Sequence, residues 1–147
     1  MFNRRYVPTF AELIDRLSIC ILKKIYISDN AAEYQKEIDD IKYDIDQLLN
    51  EKESTYRIQK INSDFIEATM IIMLSNRVIW ENESKARQGG NEQDKYLKFT
   101  HSINGVRNTA KNIISNEMGD RKDLKIDCLA AELPAEFGNW NIFKTNE

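Results

Sequence analysis

Four stretches of this chain carry large apolar residues at steps of three and four, and only five glycines and two prolines interrupt its 147 residues. A three-four period is that of an α-helix with one buried side. In the first stretch Phe10, Ile14, Leu17, Ile21 and Ile25 share a side, with Glu12, Arg16 and Lys23 on the opposite one. The second runs Tyr34, Ile38, Ile41, Ile45, Leu48, close to the heptad spacing of a helix packed lengthwise on a neighbour. Ile58, Ile61, Phe65, Ile72 and Ile79 form the third, and Tyr96, Phe99, Ile103, Val106, Ala110 and Ile113 the fourth. Too few turn-formers are present to punctuate a β-sandwich. The pattern specifies an all-α fold, an antiparallel bundle of four main helices in a single domain over 1–147, with a short C-terminal helix and an aromatic docking tail over 134–147.

Local signals set the boundaries. Thr9 with Glu12 three residues on is a capping box, which starts the first helix near Pro8 and carries it to about Ile27. Ser28-Asp29-Asn30 supplies a turn and an N-cap for the second, so the first two helices form an antiparallel hairpin. The third is expected to begin at Ile58 and reach Arg87, where Gln88-Gly89-Gly90-Asn91 breaks it. The fourth ends near Met118-Gly119. Between Asp120 and Leu133 strand-like alternation competes with a helical turn, and a short helix is favoured up to the stop at Pro134.

Charge and cysteine content narrow the function. The 21 basic and 24 acidic residues give a net charge of −3, which provides no global attraction to nucleic acid or an anionic membrane. The longest uncharged apolar run, Leu17 to Leu22, is far too short to span a bilayer. Cys20 and Cys128 sit in apolar stretches without metal-ligand spacing and read as reduced core residues of a soluble, cytoplasmic protein. Neither a phosphate-binding glycine loop nor a histidine-based site is expected, since Gly89-Gly90 precedes Asn and Glu and His101 is the sole histidine. No cofactor or metal is called for.

The third helix holds the most informative residues. On a wheel of 100° per residue, Asn76, Glu83 and Arg87 project within about 60° of the centre of its apolar stripe, with Trp80 beside them. Burying an amide, a carboxylate and a guanidinium costs several kcal/mol unless each is paired, so the set reads as a paired network or a ligand site. The alternative is a solvated helix end, since Glu83 and Arg87 are an i, i+4 acid/base pair. On the fourth helix Asn104, Arg107, Asn108 and Lys111 lie along one flank, and antiparallel pairing brings Arg107 to the height of Asn76 and Trp80. A pocket walled by Trp80, floored by Asn76 and Glu83 and rimmed by Arg107, Asn108 and Lys111 suits an anionic small molecule. The acids Glu12 and Asp15 on the first helix and Glu37 and Asp40 on the second have the spacing of the magnesium sites of all-α nucleotide pyrophosphatases, but Glu12 points away from the apolar side with Arg16 a turn away, and they read as a solvated face.

Two segments carry a resemblance. Phe10 to Lys23, reading FAELIDRLSICILK, followed by Ile25 and Asp29, resembles the opening of a family of small helical bacterial proteins of unknown function encoded near surface-polysaccharide genes. Asn76 to Arg87, with Asn104 and Arg107-Asn108 after it, is similar to that family's helix in which Asn, Trp, Glu and Arg keep the same spacing. The resemblance covers about half the chain and implies an all-helical fold, with Glu12, Asp15, Asn76, Trp80, Glu83, Arg87, Asn104, Arg107 and Asn108 as the positions that matter. It implies no reaction.

The expectation drawn from these features is a binding protein for an anionic small molecule of nucleotide or sugar-nucleotide type. The Ile, Asn and Lys usage of an AT-rich genome adds a phage protein that sequesters a nucleotide signal as one version. A protein-interaction module acting through helix pairing and the tail is the alternative. An enzyme of nucleotide or sugar metabolism comes third, because no nucleophile, base and electrophile set assembles. The tail places Phe137, Trp140, Ile142 and Phe143 within seven residues. That much apolar surface at a chain end calls for a homo-oligomer in which Trp140 and Phe143 share a helical face and anchor a second subunit, unless the tail folds back on its own bundle.

Overall fold

The structure is a computed structural model and describes residues 4–52, 54, 56–124 and 135–143. Among these, four α-helices account for the fold: α1 (Phe10–Tyr26), α2 (Ala31–Asn50), α3 (Ser63–Arg87) and α4 (Gln93–Met118). Short 3₁₀ turns occur at Ile58–Lys60 and Ala135–Phe137. The described residues contain no strand, and no helix among them is long and apolar enough to cross a membrane.

α1 starts as its sequence dictates. The Thr9 hydroxyl accepts from the Glu12 N–H at 3.2 Å while the Glu12 carboxylate accepts from the Thr9 N–H at 2.8 Å, a complete capping box. α4 also stops where its glycine stands. Gly119 takes φ 75°, ψ 24°, which lets the Asp120 N–H reach back to the Ser115 carbonyl at 2.8 Å in a Schellman closure. α3 begins later than its apolar stripe suggests. Asn62 accepts from the Phe65 N–H at 3.0 Å and caps a helix that opens at Ser63, leaving Ile58 and Ile61 outside it. Asn30 is the N-cap of α2 without a side-chain bond to it.

Cross-helix contacts fix the arrangement. Arg16 pairs with Glu37 and Lys24 with Gln35, so α1 and α2 are antiparallel. Asn62 meets Glu117 at one end of α3 and Asn76 meets Arg107 further along, so α3 and α4 are antiparallel too. α1 runs beside α3 in the same direction, with Phe10 against Phe65 and Tyr26 against Trp80. α1 is therefore the central element, with α2 on one side and the α3–α4 pair on the other. Leu13 and Cys20 pack on Ile38 and Ile41 of α2, while Phe10 and Ala11 join Phe65, Ile72, Ala110, Ile114 and Met118 in the main core. Burial on two sides explains why α1 departs from a single stripe: Leu13, Ser18, Cys20 and Leu22 are buried outside it, while Ile25, counted into it by spacing, is 64% exposed in the last turn.

The α4 stop also ties the termini together. The Asp120 carboxylate accepts from the Phe10 N–H at 3.0 Å and from the Tyr56 hydroxyl at 2.5 Å, placing a negative charge on the free amides at the start of α1. Burial, then the hydrogen bond to Asp120, pushes the Tyr56 phenol well above its ordinary value. Arg121 bonds the Val7 carbonyl and the Glu12 carboxylate and lies 4.0 Å from the Tyr6 ring centroid. Glu12 is thus neutralised by Arg121, and Arg16 by Glu37 of α2, not by each other.

The tail folds back on its own chain. Phe137 stacks on Phe99 with centroids 4.1 Å apart, and Trp140 meets the same ring at 6.2 Å while its indole N–H bonds the Phe137 carbonyl at 2.8 Å. Phe143 packs separately on the main core. Trp140 and Phe143 therefore do not share a helical face, and both are occupied within the chain. Asp120 to Leu124 are non-helical, and the short helix expected up to Leu133 lies for the rest outside the described residues, as does Cys128.

Candidate functional site

The α3–α4 seam decides which polar residues go inside. The buried residues of α3 are Phe65, Ala68, Ile72, Ser75, Asn76, Ile79, Asn82 and Ala86, and seven of these follow one another at steps of three and four without a break. Such a seam has a period of 3.5, not 3.6, and drifts by about 20° per heptad against the straight wheel. Over the length of α3 the drift carries the seam to Asn82 and Ala86 and turns Glu83 and Arg87, one residue further round, into solvent. The expected inward placement of Glu83 and Arg87 is corrected accordingly. They sit on the surface beside Gln93 and Leu97.

Asn76 is inward, 4% exposed, and it is the hub of a network across three helices. Its side-chain N–H₂ donates to the Asp15 carboxylate at 2.7 Å and to the Ser18 hydroxyl at 2.6 Å. Its carbonyl oxygen accepts from the Arg107 guanidinium at 2.7 Å. Arg107 also donates to the Asn104 side-chain oxygen at 2.8 Å, and Lys111 stands 3.4 Å from the other Asp15 oxygen. Asp15 and Ser18 reach the seam because α1 is buried on this side as well as toward α2. The polar half of α3 is therefore answered by α1 in addition to α4.

The charges of this network do not balance. Asp15, with its side chain 13% exposed, is one carboxylate set against two cations, and it bonds the amide of Asn76 and pairs with Lys111. Arg107 forms no ion pair among the described residues. Its bonds among these residues go to two neutral amide oxygens, and its Nε is buried with no hydrogen-bond partner among them. A half-buried guanidinium ordinarily meets a carboxylate or phosphate in a fork. The hydroxyls of Ser75 and Thr100 are likewise buried and unpartnered among the described residues.

The remaining residues singled out by sequence fall around this centre. Trp80, one turn beyond Asn76, stacks on Tyr26 of α1 at 6.2 Å with rings 30° apart, and Arg77 covers the other part of that Tyr26 at 4.9 Å. Asn108 and Lys111 are half-buried on the flank of α4 that bears Asn104 and Arg107. The Asn76 amide expected to floor a pocket is bonded instead to Asp15 and Ser18 of α1. Surface clefts lie elsewhere: one of about 290 Å³ between α3, α4 and the tail, lined by Tyr96, Phe99, Phe137 and Trp140, and one of about 830 Å³ bounded by Asp64, Glu67, Glu117 and Phe143.

Ser18 was not legible as a site residue, because a serine amid isoleucines has no signal of its own. Asp15 was marked by the resemblance and as half of an acidic pair on a solvated face; the structure corrects the second reading, since its side chain is 13% exposed and bonded to Asn76 and Lys111. Among the described residues no group of three or more acidic, histidine or cysteine side chains could hold a metal ion. His101 is exposed. Burial pushes the Cys20 thiol up from its ordinary value, which keeps it protonated beside the Arg16–Glu37 pair. That pair holds the Glu37 carboxyl below its ordinary value and raises the Arg16 guanidinium.

No protein-family model, curated protein or solved structure matches this chain. Its class is set by its own geometry: an all-α helical bundle whose central helices share a buried, cation-rich polar network.

Proposed function

We propose that this protein binds a small anionic molecule of the nucleotide or sugar-nucleotide class through Arg107. The observation that carries the reading is the half-buried guanidinium of Arg107, which among the described residues is bonded only to the amides of Asn76 and Asn104 and has no partner for its Nε. A phosphate or carboxylate supplies the charge that the network lacks, and it displaces the half-exposed Asn104 side chain from the guanidinium. Lys111 and Asn108 extend the same flank as further donors, and Trp80 with Tyr26 offers an aromatic face one turn along α3 for a planar ring.

Binding is favoured over catalysis by the bonding of the one hydroxyl in the network. Ser18 donates to the Asp15 backbone carbonyl at 2.8 Å and accepts from Asn76, so no base draws on its proton. Thermal melts against a panel of nucleoside phosphates and sugar nucleotides test the proposal. A ligand at a hundred times its Kd adds about 2.7 kcal/mol, a rise of several degrees, and Arg107→Ala is expected to remove that rise while keeping the helical spectrum. A panel without any rise, or a rise that Arg107→Ala retains, overturns it.

A further inference from the structure

α3 is apolar on two opposite faces. The face turned to the core carries Phe65, Ala68, Ile72 and Ile79. About 180° round the helix, Ile66, Met70 and Leu74 stand 48%, 65% and 49% exposed, with Met73 half-buried beside them. A helix of a small bundle has one wet face, and a second apolar stripe marks a surface that another element covers. The described residues of the tail do not supply that element: Phe137 and Trp140 pack on Phe99 and Ile79, and Phe143 packs on the main core.

We propose that this stripe is a self-complementary interface, and that a second copy of the chain covers it with its own α3 running antiparallel. A two-fold axis midway between Met70 and Leu74 sets Met70 of each copy against Leu74 of the other, and it makes Ile66 the flank of both contacts. The same register aligns the charges. Glu67 lies on one edge of the stripe, five residues before the axis, and Arg77 lies five residues after it, so each Glu67 meets the Arg77 of the opposite copy. Arg77 rests on the Tyr26 ring at 4.9 Å and pairs with Glu81 one turn along its own helix at 3.3 Å, an exposed pair of the kind that contributes little, so its guanidinium stands at the interface rim with room for the opposite Glu67 as a second carboxylate. Parallel pairing would instead set Glu67 on Glu67 and Arg77 on Arg77. With a net charge of −3 and acidic residues around the stripe, an anionic lipid surface is the poorer match.

One helix face buries less than the standard interface, under about 1,200 Å² in total, so association depends on concentration. Light scattering over a dilution series is the test. At the concentrated end the mass is expected to approach twice 17.2 kDa. Met70→Glu, at an exposed position, is expected to give a monomer with an unchanged helical spectrum and the melting temperature of the wild-type chain at dilutions where that too is monomeric. Glu67→Arg and Arg77→Glu are each expected to weaken the dimer at least tenfold, and the double exchange to restore it, which only pairing of like copies in this register predicts. A wild-type chain that is monomeric throughout overturns the proposal. So does a Met70→Glu protein that still dimerises, or a double exchange that fails to recover mass. None of these readouts involves Arg107, so the ligand proposal stands or falls separately.

Discussion

Replacing Asn76 with alanine tests whether its amide is the joint of α1, α3 and α4. Three hydrogen bonds of 2.6 to 2.7 Å end on that side chain, two of them on the charged groups of Asp15 and Arg107. Bonds to charged groups contribute about 1.5–3 kcal/mol each and neutral ones about 1 kcal/mol. Because Asp15 and Arg107 are near enough to solvent to recover some hydration, the expected loss is about 3 kcal/mol, below the sum. For a domain of this size each kcal/mol moves Tm by roughly 2–4 °C, so the variant should melt about 6–12 °C lower. With a urea slope of about 2 kcal/mol per molar, the midpoint should fall by about 1.5 M while the slope itself stays unchanged. Circular dichroism at 222 nm follows both. Glu83→Ala is the matched control: it removes a carboxylate from the same helix at an exposed position and should cost about 0.5 kcal/mol or less. A loss below about 1 kcal/mol for Asn76→Ala, or equal losses for Asn76→Ala and Glu83→Ala, refutes the hub.

Two other outcomes follow from the packing. The Tyr56 phenol is raised above its ordinary value of 10.0 by burial and by Asp120, so the stability it contributes is complete below pH 10 and is lost as pH rises beyond that value; a Tyr56→Phe chain, melted between pH 8 and pH 11, should start about 1 kcal/mol less stable and lose less with rising pH than wild type, and parallel curves would refute the link. Deleting residues 135–147 uncovers Phe99 and part of the main core, so it should lower stability by about 2–4 kcal/mol in urea melts while leaving the mass from light scattering in step with the full-length chain; a truncated protein that is fully stable, or one whose mass alone changes, would return the tail to the subunit-joining role.

Sequence alone determined what is local. The Thr9–Glu12 capping box, the stop at Gly119 and the end of α3 at Arg87 depend on residues within a turn of one another, and each stands in the structure as its residues prescribe. So do the all-helical class and the antiparallel hairpins. Asn76 and Arg107 were legible as partners because a short connection fixes the register of α3 against α4. What remained belonged to the packing. The late start of α3 rests on Asn62, a cap hidden behind two isoleucines that continue the apolar stripe. The inward position of Ser75, Asn82 and Ala86 in place of Glu83 and Arg87 follows from a 3.5-residue seam, whose small and polar members carry no hydrophobic signal. Asp15 and Ser18 became part of the site only when α1 was packed between α2 and the α3–α4 pair. A wheel assigns a helix one buried side, whereas a central helix has two, and only the neighbours in space determine that a polar residue on the second side is met by an amide and a guanidinium instead of water.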